Sequence, residues 1–149
     1  MSAPALRPAR ADELPRFAAW ERDPEVARGI HADDLARHRQ VFADPAIRYL
    51  SIIDDADDAL GFILLRLEPG SRIEFRRIVV AHRGAGIGSA ALAVLPAWCR
   101  EQYASEELWL DVFSDNHGAR RLYRRLGWQE QREEPQADGR VLVIMTRGI

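Results

Sequence analysis

The chain has 149 residues, of which 47% are apolar and 30% are charged, and its formal net charge is −2. This length and composition are typical of one soluble globular domain and exclude a disordered or collagen-like chain. The balanced charge gives no positive excess for general nucleic-acid binding, and the single Cys99 can form neither an internal disulfide nor a cysteine zinc site.

No apolar run approaches the ~18 residues that cross a bilayer, and the first ten residues lack the apolar stretch of a secretory signal. We therefore expect a cytoplasmic protein that binds neither membranes nor nucleic acid. Residues 1–70 carry 9 arginines and 13 acidic residues, whereas residues 71–149 carry 12 and 10. The second part is thus the better suited to an anion, and the first to a cation.

The first part of the chain is predicted to contain an edge strand, two helices and a β-hairpin. These elements are a strand at Ala5–Ala9, a helix capped by Asp12 and ending at Asp23, a helix from about Ala32 to Asp44, and strands at Ile47–Ile53 and Leu60–Leu67. Proline after each of Asp23 and Asp44 marks a helix end, and the aspartates at residues 54–58 are typical of a solvated turn.

The second part alternates strands and helices. Its predicted elements are strands at Arg72–Ala81, Leu108–Phe113, Trp128–Glu134 and Val141–Thr146, and helices at Gly88–Tyr103 and Asn116–Leu126. Pro96 lies inside the first of these helices, where we expect a kink because proline removes a backbone donor. The order of elements predicts an α/β fold of the α+β kind, with a mixed sheet flanked by helices.

A glycine-rich segment, Arg83-Gly84-Ala85-Gly86-Ile87-Gly88-Ser89, lies between a predicted strand and a predicted helix. Glycines there let successive backbone N–H groups point into one concavity at a helix N-terminus, which suits a phosphate or pyrophosphate. A nucleotide-hydrolysing P-loop is excluded because it needs a lysine and the chain has none.

Two other interpretations of the glycines stay open. Residues 86–91 match the dinucleotide-binding pattern G-x-G-x-x-A, and Glu106 follows about 20 residues on. However, hairpins precede this segment, and too little chain follows to build a parallel βαβ series. The third interpretation is a tight turn whose glycines serve the backbone alone.

A second polar pattern lies at Asn116 and Tyr123, which are seven positions apart and share one face of the predicted helix. Gly127 is suited to end that helix in a left-handed conformation. Taken singly, Asn116 is typical of a helix N-cap and Tyr123 of the edge of a core.

Together the two segments resemble the GNAT superfamily of acyl-CoA-dependent N-acetyltransferases. The family's Q/R-x-x-G-x-G/A motif is matched by Arg83, Gly86 and Gly88. Its later pattern is matched by Asn116, Ala119, Leu122-Tyr123 and Leu126-Gly127-Trp128. The resemblance covers residues 71–128 closely and the whole chain loosely, and it implies one GNAT-like domain over residues 1–149. The central sheet would be splayed between the strand ending at Val80 and the strand ending at Phe113.

The resemblance implies acetyl-CoA as a co-substrate in this split, and no metal. The pantetheine arm would pair with strand backbone, and the pyrophosphate would accept N–H groups from the glycine-rich segment. The implied cofactor-binding residues are Ile78, Val79, Val80, Arg83, Gly84, Ala85, Gly86, Ile87, Gly88, Ser89, Asn116, Arg120 and Tyr123. Arg120 and Arg124 would meet phosphates, although a charged helix face is usually only solvated.

The resemblance also implies catalytic roles for Glu74 and Tyr123. An amine acceptor is largely protonated at neutral pH, so Glu74 would accept its proton. The alternative for Glu74 is a solvated strand position beside Arg72 and Arg76. A backbone N–H near Val80 would stabilise the oxyanion, and Tyr123 would protonate the departing thiolate, helped by a depressed pKa.

The predicted function is direct transfer of acetyl from acetyl-CoA to a primary amine, either a protein N-terminus or a small amine. A non-catalytic acyl-CoA-binding sensor or interaction domain is the alternative, and the presence of both Asn116 and Tyr123 favours the enzyme. Candidate acceptor walls are Trp20, Glu21, residues 23–31 and the aspartate-rich hairpin. The sequence leaves the oligomeric state open, a homodimer included.

Overall fold

The computed structural model describes residues 3–26 and 32–149. Within these residues the strands are β1 (Ala5–Pro8), β2 (Ile47–Ile53), β3 (Ala59–Glu68), β4 (Arg72–Val80), β5 (Glu107–Phe113), β6 (Gln129–Pro135) and β7 (Val141–Gly148). The α-helices are α1 (Leu14–Arg22), α2 (Leu35–Phe42), α3 (Ile87–Tyr103) and α4 (His117–Arg125). None of the helices in this described part is long and apolar enough to cross a membrane.

The elements agree with the sequence predictions to within a few residues, with one difference at the start of α1. Asp12 lies inside a 3₁₀ turn that precedes α1, and it caps nothing. The side chain of Glu13 instead accepts the backbone N–H of Arg10 at 2.8 Å. The helix α3 runs without interruption through Pro96, which is buried. The second helix begins as predicted, with the Asp34 side chain accepting the N–H of Arg37.

All the described strands form one mixed sheet in the order β1-β2-β3-β4-β5-β7-β6. The pair β4–β5 is parallel, and its register covers only Arg72 to Glu74 opposite Glu107 to Trp109. Beyond these residues β4 continues to Val80 and β5 to Phe113 without pairing to each other. The sheet therefore opens into a V with its apex at Glu74, as the splayed sheet of the predicted fold requires.

Helices cover both faces of the sheet. On one, which we call the α3–α4 face, Ile73 and Phe75 pack with Leu95 of α3 in an apolar cluster, and Tyr123 of α4 packs against it. On the other, the α1–α2 face, Phe17 of α1 packs against strand residues. Because strand side chains alternate between faces, the side chains of successive β4 residues lie on opposite faces of the sheet.

A β-bulge in β4 modifies this alternation. Leu65 pairs with Phe75 and Leu64 with Arg77, so Arg76 is the extra residue. A bulge turns the following side chains by one position relative to a regular strand. As a result, Glu74 and Arg77 both lie on the α1–α2 face, although three positions separate them. Beyond the bulge, Ile78 packs towards the α3–α4 face and Val79 towards the α1–α2 face.

Candidate active site

A cleft of about 330 Å³ lies beside the open half of β4 on the α3–α4 face. Its wall combines one strand residue, the glycine-rich segment, the first turns of α3 and one side of α4. The lining residues are Ile78, Arg83, Gly84, Gly86, Ile87, Gly88, Ser89, Leu92, Leu122 and Tyr123. The two sequence segments that carry the family resemblance therefore meet in one cleft.

The glycine-rich loop has the backbone geometry of an anion cradle. Gly84 and Gly86 have φ of +83° and +76°, a region that side chains disfavour, and Gly86 is the N-cap of α3. The first N–H groups of an α-helix have no acceptor within the helix. Here they belong to the turn that starts at Ile87, and they suit a phosphate oxygen at the floor of the cleft.

Five of the predicted cofactor residues do not line this cleft, namely Val79, Val80, Ala85, Asn116 and Arg120. Val79 is buried in the cluster on the α1–α2 face. Val80 is partly buried on the α3–α4 face, where it packs against the apolar cluster. Ala85 instead lines a second cavity of about 190 Å³ beside the aspartate-rich hairpin. For Val79 and Val80 the prediction concerns the backbone, whose outer edge no described strand occupies beyond Glu74.

Asn116 has the role that its position predicts when it is taken alone. Its side-chain oxygen accepts the N–H of Ala119 at 3.3 Å and caps α4, and the residue is exposed. The cap fixes the start of the helix that carries Tyr123. The structure therefore gives Asn116 an indirect role through α4.

The phosphate contacts of Arg120 and Arg124 stay a prediction, and both side chains have another partner in this structure. Arg120 donates from Nε and Nη2 to the carboxylate of Glu130, at 3.0 Å each, and also to the carbonyl of Ser114. Arg124 donates to the same Glu130 carboxylate at 3.0 Å. Glu130 on β6 thus binds both guanidinium groups, and neither arginine lines the cleft.

Tyr123 stands in the cleft wall and packs edge-on against Phe75, with ring centroids 6.2 Å apart, and against Trp128 at 5.8 Å. Burial raises the pKa of Tyr123, because the phenolate would lose its hydration. The shift is thus opposite to the depressed pKa that would help the donation. The raised pKa keeps the hydroxyl protonated at neutral pH, as a proton donor must be.

Glu74 lies at the apex of the V, with 18% of its side chain exposed and Arg76 Nε at 3.8 Å. Burial is the largest cause of a raised pKa of Glu74, and the carboxylates of Asp111 and Glu68 add to it, while Arg76 opposes it. A raised pKa makes Glu74 a stronger base than an ordinary carboxylate, which suits a group that takes up a proton in the reaction.

Asp111 is a candidate that the sequence reasoning missed. It lies on β5 two residues beyond Trp109, the register partner of Glu74, and so shares the α1–α2 face with it. Asp111 is an exposed residue whose carboxylate is partly desolvated; this desolvation and the charge of Glu134 raise its pKa, and Arg76 opposes them. The sequence signal was available, because an aspartate interrupts an otherwise apolar strand next to the buried Leu110.

The candidate acceptor walls are only partly described. Trp20 stacks on Phe17 at 5.7 Å, and residues 27–31 lie outside the described part of the chain. In the hairpin, Asp57 binds Arg7 at 2.6 Å and Arg10 at 3.2 Å. The hairpin lies beside the glycine-rich loop, not near Glu74. Among residues 3–26 and 32–149, no three potential metal ligands come together.

The two proton-transfer candidates lie on opposite faces of the sheet, with the V between them. Tyr123 contacts Phe75 on the α3–α4 face, and Glu74 points to the α1–α2 face. A substrate placed in the V can therefore meet a donor from one side and a carboxylate from the other.

Comparison with known proteins identifies the same family that the two sequence segments resemble. The Acetyltransferase (GNAT) family model matches residues 10–128. A chimeric spermidine N-acetyltransferase from Vibrio cholerae has a TM-score of 0.82 at 18% identity, covering 99% of this chain and 96% of that chain. The ribosomal-protein-S18-alanine N-acetyltransferase from Escherichia coli has 0.75 at 19%, covering 98% and 94%.

A ribosomal-protein-alanine N-acetyltransferase from Brucella melitensis has a TM-score of 0.77 at 22% identity, covering 97% of this chain and 99% of that chain. No curated protein sequence matches the chain significantly. The structural likeness establishes the fold, and the family model covers most of the chain. The chain therefore belongs to the GNAT family of acetyltransferases and is an acyl-CoA N-acyltransferase.

Proposed function

We propose that this enzyme transfers acetyl from acetyl-CoA to a cationic primary amine that enters the V from the α1–α2 face. The observation that carries this proposal is the arrangement at the V. An anion cradle and Tyr123 lie on one face, and two carboxylates, Glu74 and Asp111, lie on the other. One substrate is suited to each side, and the V lets their reacting groups meet.

For the cofactor, we propose that the pyrophosphate accepts backbone N–H groups of residues 83–89. The pantetheine arm pairs with the open backbone edge of β4 at residues 78–80, in the manner of an added strand. The left-handed Gly84 and Gly86 support the first contact, and the short register of β4 with β5 supports the second. Arg120 is not part of this proposal, because Glu130 holds it.

The reaction needs two proton transfers in opposite senses. A carboxylate, Glu74 or Asp111, takes a proton from the ammonium group, and the free amine attacks the thioester carbonyl. The N–C bond forms, the C–S bond breaks, and the amine nitrogen releases its second proton to solvent water. Tyr123 donates a proton to the sulfur and is reprotonated from solvent by that second proton, so the only net proton released is the one that the carboxylate took from the ammonium group. An N–H of the open strand near Val80 is suited to the oxyanion.

The charge on the α1–α2 face favours a cationic acceptor. The charges of Asp111 and Glu68 raise the pKa of Glu74, and the charge of Glu134 raises that of Asp111, while Arg76 opposes both shifts. Glu134 is also paired with Arg132 at 2.9 Å, and Glu68 lies 3.8 Å from Arg72. The structural neighbours named above act on spermidine and on a ribosomal-protein alanine. Both acceptor classes carry a positive amine at neutral pH, and both are candidates here.

The test is a CoA-release assay with polyamines and with peptides of varied N-terminal residues. We expect saturable release with one of the two classes. The base is then identified from the pH dependence of kcat/KM in Glu74→Gln and Asp111→Asn. The true base variant should lose most activity at low pH, where the amine is most protonated, and least at high pH.

The outcomes separate the alternatives. Tight acetyl-CoA binding with no CoA release for any amine would favour the sensor domain. Normal pH profiles in both variants would show that neither carboxylate accepts the proton.

A further inference from the structure

Arg76 lies beside the candidate base Glu74 and has no part in the proposed reaction. It is the extra residue of the bulge in β4, so it has no register partner on β3. Bulges redirect side chains next to functional sites. Here the guanidinium group of Arg76 lies on the same face as Glu74, with its Nε 3.8 Å from Oε1 of the carboxylate. The bulge therefore places a positive charge at the apex of the V.

The ion pair between Arg76 and Glu74 is loose. A separation of 3.8 Å is too long for a hydrogen bond, and 43% of the Arg76 side chain is exposed. The next residue differs, because Arg77 Nη1 donates to the buried carboxylate of Glu21 in α1 at 2.8 Å. An exposed ion pair without a hydrogen bond contributes little to stability. Stabilisation of the fold is thus a weak reason for an arginine at position 76.

The two carboxylates at the V also lack firm partners. Within residues 3–26 and 32–149, the Glu74 side chain has only the contact with Arg76, and the Asp111 side chain has no hydrogen bond or ion pair. The nearby Glu68 differs, because it accepts from Trp109 Nε1 at 2.7 Å. Glu74 and Asp111 are therefore the carboxylates at the apex that are free to receive a cation.

The charge of Arg76 acts on both of these carboxylates. Desolvation raises the pKa of Glu74 and of Asp111, and Arg76 opposes each shift. The other charged groups that act on one carboxylate or the other are Arg66, Glu68 and Glu134. Among the described residues, Arg76 is thus the one cation that acts on the pair, and it serves as their shared counter-ion.

We propose that Arg76 is a resident counter-ion that competes with the ammonium group of the acceptor for Glu74 and Asp111. The proposal rests on the proposed function, because it assumes that the amine enters from the α1–α2 face. Two positive charges repel each other at contact distance, so the amine binds as the guanidinium group moves away. The long ion pair and the exposed side chain permit this movement. Arg76 thereby lowers the affinity for cationic acceptors and acts on the reaction only through the carboxylates.

The test is the steady-state kinetics of Arg76→Gln at low salt, with the amine found in the CoA-release assay. Glutamine removes the charge at an exposed position, so the variant should fold. We expect KM for the amine to fall about threefold, the size of one exposed charge interaction, and KM for acetyl-CoA to stay unchanged. Arg76→Lys keeps the charge and should retain the wild-type KM for the amine.

The pH profile gives an independent measurement. Because the charge of Arg76 holds down the pKa of Glu74 and Asp111, its removal should raise both pKa values. A base must be ionised to accept a proton, so the acidic limb of the kcat/KM profile should move to higher pH in Arg76→Gln. The limb should stay in place in Arg76→Lys. A side chain that served only the fold would change neither the amine KM nor this limb.

Arg100→Gln is the matched control. Arg100 is an exposed arginine in the last turn of α3, and its substitution changes the net charge by the same amount. It lies on a helix of the opposite face, away from both carboxylates. The amine KM and the acidic limb should therefore stay unchanged. An equal fall of KM in Arg100→Gln would assign the effect to net charge and overturn the counter-ion role.

Two other results would also overturn it while normal wild-type turnover upheld the proposed function. A higher amine KM in Arg76→Gln would mean that Arg76 binds the acceptor, and an unchanged KM would mean that it does not compete. Absence of wild-type CoA release with every amine would instead remove the proposed function, and the counter-ion role with it.

Discussion

The two faces of the sheet differ in the polarity of their buried residues. The cluster under α3 and α4 consists of apolar and aromatic residues together with Cys99. Of the five buried polar residues within residues 3–26 and 32–149, four lie instead on the side of α1 and α2, namely Glu13, Glu21, His38 and Ser51. The difference suggests a division of labour. In the proposed function, the apolar face holds the thioester cofactor through shape and backbone amides, and the charged face receives the amine.

The largest expected effect breaks the chemistry of the α3–α4 face. Tyr123→Phe keeps the ring packing on Phe75 and Trp128 and removes only the proton donor. We expect kcat to fall by a factor within the ~10² to 10⁴ of general acid catalysis, with acetyl-CoA affinity unchanged. Steady-state kinetics and calorimetry measure the two quantities.

The matched control for this variant is Tyr103→Phe. Burial also raises the pKa of Tyr103, but this residue lies at the end of α3 against Trp98 and outside the cleft. It should leave kcat unchanged. Full turnover in Tyr123→Phe would mean that the thiolate leaves without this donor.

The next effect tests the buried ion pair between Glu13 and Arg7 on the α1–α2 face. Burial raises the pKa of Glu13, but Arg7, the Arg10 N–H and the Ser51 hydroxyl outweigh it and lower the pKa to about 2. A lowered carboxylate pKa stabilises the fold above the unfolded pKa of ~4.3, and this stability is lost as pH falls towards 2. Glu13→Gln should therefore cost on the order of 3 kcal/mol at pH 7, and progressively less below pH ~4.

Urea unfolding of the wild type and Glu13→Gln at several pH values checks this expectation. The two stability curves should converge on the acid side. Curves that stay parallel from neutral to acid pH would show that Arg7 and Glu13 contribute no titrating stability.

A third effect sharpens the comparison by testing the anion cradle. Gly86→Ala places a side chain in open space, so its cost is the left-handed backbone, about 1–2 kcal/mol. If the glycine-rich loop changes conformation to relieve this strain, the amides at the start of α3 move. Because these amides are proposed to bind the pyrophosphate, we expect acetyl-CoA affinity to fall about tenfold. Calorimetry provides the measurement.

Gly139→Ala is the control, because Gly139 has φ of +90° and equally open surroundings in the β6–β7 hairpin. It carries the same backbone strain away from the loop. Equal affinity losses in both variants would show that general destabilisation, and not the cradle, reduces binding.

The smallest effect concerns long-range charge on the acceptor face. Raising the salt concentration to about 0.5 M should lower kcat/KM for a cationic amine about two- to threefold, because exposed charges are screened. Asp111→Asn should weaken this salt dependence. Asp57→Asn should not, since Arg7 and Arg10 already neutralise that hairpin carboxylate. A salt response that is the same in all three proteins would place the attraction elsewhere.

The α3–α4 face was the more predictable of the two, and the reason is sequence distance. The glycine-rich loop and the start of α3 depend on neighbouring residues, so the pattern from Arg83 to Ser89 predicts their geometry. The contact between Arg120 and Glu130 was not predictable, because Glu130 comes from another element. The pKa of Tyr123 depends on burial, which a local pattern does not contain.

The α1–α2 face was less predictable because its contacts join distant positions. Arg77 and Glu21 are 56 positions apart, and no spacing rule relates them. The bulge at Arg76 decides that Arg77 faces α1, and it too depends on the partner strand. Asp111 is the exception, since its place in an apolar strand is visible in the sequence.

The open half of β4 has a consequence for how its amides exchange with solvent. One edge of residues 77–80 pairs with β3, whereas no described strand pairs with the other. Because amides in a strand point alternately to its two edges, slow and fast hydrogen–deuterium exchange should alternate along this segment. A ligand that pairs with the free edge would slow exchange only at the rapidly exchanging amides. The residues whose exchange slows would therefore show where along β4 the ligand binds.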